Sequence, residues 1–193
     1  MLRRLYDWTL AKAAGPGAER WLMAISFADS SFFPVPPDVM QIPMSIARPE
    51  KSFRYAAVST VASVAGALLG YLIGAALYQA VGVPLLSFYG YEAKFVAFAA
   101  DIKANGFLWM LAFAFLPIPY KVATIAAGSV SLSIPVLIAA SVLGRGGRFF
   151  LVALVLKRFG ARAQDLIDRY FNALALAATA MFVGGFVVVK YAF

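Results

Sequence analysis

A chain of 193 residues that is 63% hydrophobic and 13% charged, with a mean hydropathy of +0.82, cannot enclose its own apolar surface as a water-soluble globule; such globules run about 45–50% apolar and about 25% charged. There is no cysteine and no histidine, which excludes disulfides, thiolate metal sites and imidazole chemistry, and leaves proton handling to Asp, Glu, Lys, Tyr or water. The length suits one domain, so residues 1–193 read as a single all-α integral membrane domain, and the net charge of +8 points to the anionic face of a bilayer.

Residues 1–20 do not read as a signal peptide, because Asp7, Lys12, Glu19 and Arg20 interrupt any apolar core. Leu2, Leu5, Tyr6 and Leu10 recur at helical spacing and predict an amphipathic helix on the membrane surface. Residues 21–80 form a first repeat, a proline-broken segment followed by an uncharged transmembrane helix over 55–79. Gly66, Gly70 and Gly74 lay a smooth strip along one face of that helix for close packing. A loop follows from residue 81, within which residues 91–105 read as an interfacial helix with Phe95, Phe98, Ala99 and Ile102 on one face. Residues 107–157 form the second repeat, again a proline-broken segment and then a span over 132–156 that carries Arg145 and Arg148. A basic connector leads to a last transmembrane helix within residues 170–190.

The repeat is carried by Phe33-Pro34-Val35-Pro36-Pro37-Asp38-Val39, which recurs 83 residues later as Leu116-Pro117-Ile118-Pro119-Tyr120-Lys121-Val122. Proline lacks a backbone donor and pushes its predecessor out of helical geometry. Pro34, Pro36 and Pro37 in the first copy, and Pro117 and Pro119 in the second, are therefore the expected turns of two re-entrant hairpins. Proline-interrupted segments at matching places in two halves are the pattern of inverted-repeat transporters. Charge supports this topology. If each hairpin returns to its own side, eleven Lys and Arg residues share one compartment with the N-terminus, and only Lys94, Lys103 and Lys190 lie opposite with the C-terminus. The positive-inside rule then makes the N-terminal side cytoplasmic. The bases are dispersed along membrane edges, which argues against nucleic acid as a partner.

Five ionisable residues remain within or beside the apolar segments: Asp29, Asp38, Lys121, Arg145 and Arg148. A charge at the bilayer centre costs about 2.5–3.5 kcal/mol on insertion scales, so these call for pairing or a wet cavity. Asp38 and Lys121 occupy equivalent repeat positions and are expected within ion-pair reach. They read either as a bridge between hairpin tips or as a protonatable carboxylate beside a phosphate-binding lysine. Arg145 and Arg148 share a helix face, and Gly144, Gly146 and Gly147 loosen the helix around them. They suit bidentate phosphate binding, or they neutralise Asp29 and Asp38. Asp29 reads as a turn or N-cap residue, or as a second protonatable group. Trp21, Trp109, Tyr89 and Tyr91 read as interfacial aromatics. No enzyme signature, metal-ligand spacing or cofactor motif is present in the sequence.

The run from Asp29 through Phe32, Pro34 and Pro36 to Asp38 resembles the acidic, Phe, Pro-x-Pro, acidic signature of DedA-type membrane proteins, also called the VTT or SNARE-associated Golgi protein family. Phe115, Pro117 and Gly128 resemble that family's second motif. Better-known members carry arginine where this chain has Ala114 and Tyr120, with Lys121 one place on, and the pattern is closer to the YqaA-like branch. The resemblance implies two opposed re-entrant hairpins and proton-dependent movement of a polyprenyl phosphate or phospholipid across a bacterial inner membrane. Lys121, Arg145 and Arg148 are then the expected headgroup ligands and Asp29 and Asp38 the proton-coupling groups. Membrane lipids are the expected partners, and a homo-oligomer is compatible with the sequence. A proton- or ion-coupled small-solute transporter and a non-transporting scaffold are the alternatives.

Overall fold

The computed structural model describes residues 15, 17–32, 36–90, 92–115 and 120–160. Pro34, Pro117, Pro119, Tyr91, most of the expected N-terminal helix and the expected last span lie outside them. All regular structure among the described residues is helical. Helix α1 is Ala18–Ser31 and α2 is Asp38–Ala47, joined to α3 (Ser52–Leu77) by a 3₁₀ turn at Pro49–Lys51. A π-helical turn at Tyr78–Gly82 leads into α4 (Val83–Tyr89), where the sequence reads as a loop. Pro84 fits the first turn of α4, where its missing donor costs nothing, and Gly90 ends it in the left-handed conformation at φ 66°. Helix α5 (Glu92–Phe115) is bent at Asn105, and α6 is Tyr120–Ser129. Helix α7 begins as Ile134–Ser141, passes through a π-helical turn at Val142–Gly146 and continues to Gly160.

Helix α5 has 24 residues but is bent at Asn105, and length together with apolar composition sets two other stretches apart. Two continuous helical stretches, Pro49–Gly82 with 34 residues and Ile134–Gly160 with 27, are long and apolar enough to cross a bilayer. At about 1.5 Å per residue they exceed the roughly 30 Å hydrocarbon core. Helices α1 and α2, with 14 and 10 residues, do not reach that length singly. Large apolar side chains such as Phe32, Val61, Leu72, Leu108 and Leu151 face outward.

Contacts fix the directions of the helices. Glu19 on α1 pairs with Arg54 at the start of α3 at 2.9 Å, Phe27 lies against Gly66, and Ser30 meets Ser63. Helix α1 therefore runs parallel to α3. Helix α2 then leads directly into the turn before α3, so both ends of the α1–α2 pair lie at the Pro49 end. In the second half, Gly106 meets Leu132 and Gly144 meets Ala114, so α5 runs parallel to α7. Helix α6 ends in a Schellman motif: Ser131 has φ 55°, its N–H donates to Gly128 O at 3.1 Å, and Leu132 N–H donates to Ala127 O at 2.9 Å. Both ends of the α5–α6 pair thus lie where α7 begins. Helices α3 and α7 are antiparallel, with Gly146 against Thr60, Phe149 on Ala56 and Gly160 near Pro49.

The glycine strip on α3 does what its spacing predicts. A Cβ on Gly66 would strike the carbonyl of Phe27, and one on Gly74 the carbonyl of Ile125. Gly128 on α6 reciprocates against the carbonyl of Tyr71. These approaches of backbone to backbone seat α1 and α6 on the same face of α3. The expected interfacial helix differs from expectation: Ile102 is buried, Phe95 stacks on Tyr78 with centroids 5.0 Å apart, and Ala99 packs on the core. The bend at Asn105 is bracketed by Asp101, whose carboxylate accepts from Asn105 Nδ2 at 3.1 Å and Trp109 Nε1 at 2.9 Å.

Gly74→Val should overpack the α3–α6 contact and lower stability by about 1–3 kcal/mol or more. Gly17→Ala, where a Cβ meets nothing within 4 Å, should not. Thermal unfolding in detergent checks the pair; equal midpoints would remove the glycine strip from the account.

Candidate functional site, a charged cluster between the two halves

The breaks between α1 and α2 and between α5 and α6 bring their helix ends to the middle of the α3–α7 pair. Asp29 stands in the last turn of α1, Asp38 opens α2, and Lys121 is the second residue of α6. Thr124 Oγ1 lies 3.0 Å from the Ser30 carbonyl and 2.9 Å from that of Lys121, so the end of α1 touches the start of α6.

Across from them, α7 supplies two arginines three residues apart. Arg145 lies in the π-helical turn, where Gly144 lets α7 close on Ala114 and Leu111. It is 3% exposed. Its Nη2 donates to Asp29 Oδ2 at 2.5 Å and its Nε to Ser63 Oγ at 2.9 Å. Ser63 in turn meets Ser30 Oγ at 2.5 Å. The guanidinium carbon lies 4.8 Å from the ring centre of Phe149 and 5.5 Å from that of Tyr120. Cation–π attraction and the aromatic walls hold this fork in one orientation. Tyr120 is fixed by its hydroxyl, 2.5 Å from Ser141 Oγ. One turn on, Arg148 Nη2 donates to Asp38 Oδ2 at 2.7 Å, and this pair is the more open of the two.

The structure thus pairs Asp38 with Arg148, where the repeat predicts Lys121. The reason lies in the face shared by Arg145 and Arg148: one fork reaches α1 and the next reaches α2, so both acids are taken by α7. Asp29 is also no N-cap, since it sits in the final turn of its helix. Lys121 makes no ion pair among the described residues, yet it lies within electrostatic reach of Asp29, as do Asp38 and Arg145. The cluster therefore holds two acids and three bases, with Lys121 the surplus charge. Of the expected turn residues, Pro36 and Pro37 precede α2 directly. No group of three metal-ligating side chains occurs among the described residues.

Ser30, Ser63, Tyr120, Thr124 and Ser141 were not legible as parts of this site from chemistry alone. Ser63 had one signal, because it continues the strip of Gly66, Gly70 and Gly74 by one turn. Beside the cluster, an apolar groove of about 770 Å³ runs along the outer face between α1 and α3, from Arg20 past Phe27 and Val61 to Phe32. It lies on the surface next to Asp29 and does not enclose the charges.

The chain is 32% identical over 185 residues to an uncharacterized protein of Haemophilus influenzae, across 93% of this chain and 95% of that one. It is 32% identical over 168 residues to a Histophilus somni protein described as a homolog of HI0703, across 85% and 87%. The chain belongs to their family. No model of a known protein family matches the chain, and no solved structure matches it.

Removing one partner of a buried pair leaves a bare charge and costs about 3–5 kcal/mol, whereas replacing both partners by apolar groups is often close to neutral. Asp29→Asn should therefore lower the unfolding midpoint in detergent more than the double change Asp29→Leu with Arg145→Met. A double variant no more stable than the single would show that the pair is not the source of the effect.

Proposed function

We propose that the protein is an integral membrane transporter that moves a phosphate-bearing lipid, a polyprenyl phosphate or a phospholipid, without chemical change to it. The observation that carries this reading is Lys121, a cation unpaired among the described residues and set beside two carboxylate–arginine pairs in apolar surroundings. A lipid phosphate supplies the missing negative charge. The α1–α2 and α5–α6 pairs are read as re-entrant hairpins of two inverted repeats. Supporting this, each pair returns to the end of the long helix that follows it, and those two helices are antiparallel. Broken backbone at membrane depth is tolerated where protein or a watery cavity covers it. The resemblance to DedA-type proteins points the same way. So does the charge distribution, which by the positive-inside rule fits a cytoplasmic N-terminus and a C-terminus outside; a bacterial inner membrane is the location this reading takes.

In this reading the headgroup binds Lys121 first and then competes with Asp38 for Arg148, the more accessible arginine. Arg145, buried and held by four neighbours, orients Asp29 and gives no ready contact to a ligand. The groove between α1 and α3 keeps the lipid tail in apolar contact, with Arg20 at its rim. Protonation of Asp38 frees Arg148 for phosphate, and its deprotonation restores the pair and expels the headgroup, which couples movement to protons.

A hydrogen bond to a charged group contributes about 1.5–3 kcal/mol. In liposomes holding labelled phospholipid or polyprenyl phosphate, Lys121→Gln should therefore slow lipid movement about tenfold or more. Movement no faster than in empty vesicles, or unchanged by Lys121→Gln, would contradict the proposal. Ion flux without lipid movement would favour a small-solute transporter on the same scaffold.

A further inference from the structure

Serine and threonine hydroxyls inside helices ordinarily bond the carbonyl one turn back. Ser26 does so on Leu22 at 2.7 Å, Thr60 on Ala56 at 2.7 Å and Ser141 on Leu137 at 2.6 Å. Ser45, Ser52 and Ser59 do not, although each is fully buried. Among the described residues, their Oγ atoms and the Oε1 of buried Gln41 have no hydrogen-bond partner. Orphaned buried oxygens are costly and rare in native proteins, and ordered water is their usual partner.

The four side chains lie on two helices that pack together. Gln41 and Ser45 lie one turn apart on α2, and Ser52 and Ser59 lie on one face of α3 with Ala56 between them. Gln41 Nε2 donates to the Phe149 carbonyl at 2.9 Å, and the Phe149 ring packs on Ala56. Both faces therefore converge on the same stretch of α7. Ser52 begins α3 beside the Pro49–Lys51 turn, whereas Ser63, one turn beyond Ser59, accepts from Arg145. Asp38 stands one turn before Gln41 on α2. The unpartnered oxygens thus mark a line from the Pro49 end of the bundle to both ion pairs. Beyond Tyr120 and Ser141, Ala67, Ala127, Val130, Leu132 and Leu137 form an apolar cluster toward the other end, while at the Pro49 end Leu22, Met40, Met44 and Tyr55 form a smaller one beside the line.

We propose that Gln41, Ser45, Ser52 and Ser59 bind a string of ordered waters that links the Pro49 end of the bundle to Asp38 and its neighbours Asp29, Arg145, Arg148 and Lys121. Protons reach the carboxylates by this path and not through the apolar cluster. The water string stands apart from the lipid reading; only its use in coupling rests on it.

The chain has no cysteine, so each Ser→Cys change installs a single S–H group whose infrared stretch reports exchange in D₂O. In reconstituted protein, Ser45→Cys, Ser52→Cys and Ser59→Cys should exchange about tenfold or more faster than Ser26→Cys, Ser141→Cys and Leu137→Cys, which are equally buried. Equal rates across the set, whether fast or slow, would overturn the proposal. The readout needs no transport, so absence of lipid movement would leave it standing, and uniform exchange would leave the lipid reading untouched.

Discussion

Two ion pairs, Asp29 with Arg145 and Asp38 with Arg148, join α1 and α2 to α7 across the middle of the bundle. Both acids flank the break between α1 and α2, Asp29 in the last turn of the one and Asp38 at the start of the other. Each base sits where α7 departs from regular α geometry or one turn after it. In a medium of low dielectric constant neither partner is tolerable alone, and the pair is tolerable only with further hydrogen bonds. Ser63, Ser30, Tyr120 and the Phe149 ring supply that support on the Arg145 side. The Arg148 side has less of it and is more open.

Close packing sets the distance over which those charges meet. Gly66, Gly74 and Gly128 let α1 and α6 approach α3 at backbone contact, so that the end of α1 and the start of α6 share the face of α3. A larger residue at any of them would move a helix end and with it Asp29 or Lys121. The same face of α3 changes along its length, from Ser52 and Ser59 at one end to the glycines at the other. Polarity and proximity are thus distributed along a single helix, with the ion pairs at the changeover.

Much of this was legible in the sequence because local rules governed it. Prolines at a fixed offset marked both breaks, glycine spacing marked the contact face of α3, and Gly144, Gly146 and Gly147 marked the irregular turn that holds Arg145. The list of charged residues in apolar stretches also named every member of the cluster. Their pairing was legible only in part: neutralisation of Asp29 and Asp38 by Arg145 and Arg148 was one of two readings of those arginines, and it is the pairing found. Repeat equivalence put Asp38 opposite Lys121, but a carboxylate takes the nearest well-oriented fork, and only the packing of α7 shows that to be Arg148. Nor could hydrophobic periodicity tell that Phe95, Ala99 and Ile102 pack inward, since a bilayer surface and a protein core present the same apolar partner.

The central proposal is that two broken helix pairs enter the membrane from opposite faces and each returns to its own. Single cysteines in the cysteine-free chain, labelled by a membrane-impermeant reagent in vesicles of known orientation, test it most directly. Gly17→Cys and Glu50→Cys flank the α1–α2 pair, and Ser87→Cys and Ser133→Cys flank the α5–α6 pair. The account predicts that the first two react from one face and the last two from the other. Labelling of Gly17→Cys and Glu50→Cys from opposite faces would show α1 and α2 to cross the membrane, and would contradict it.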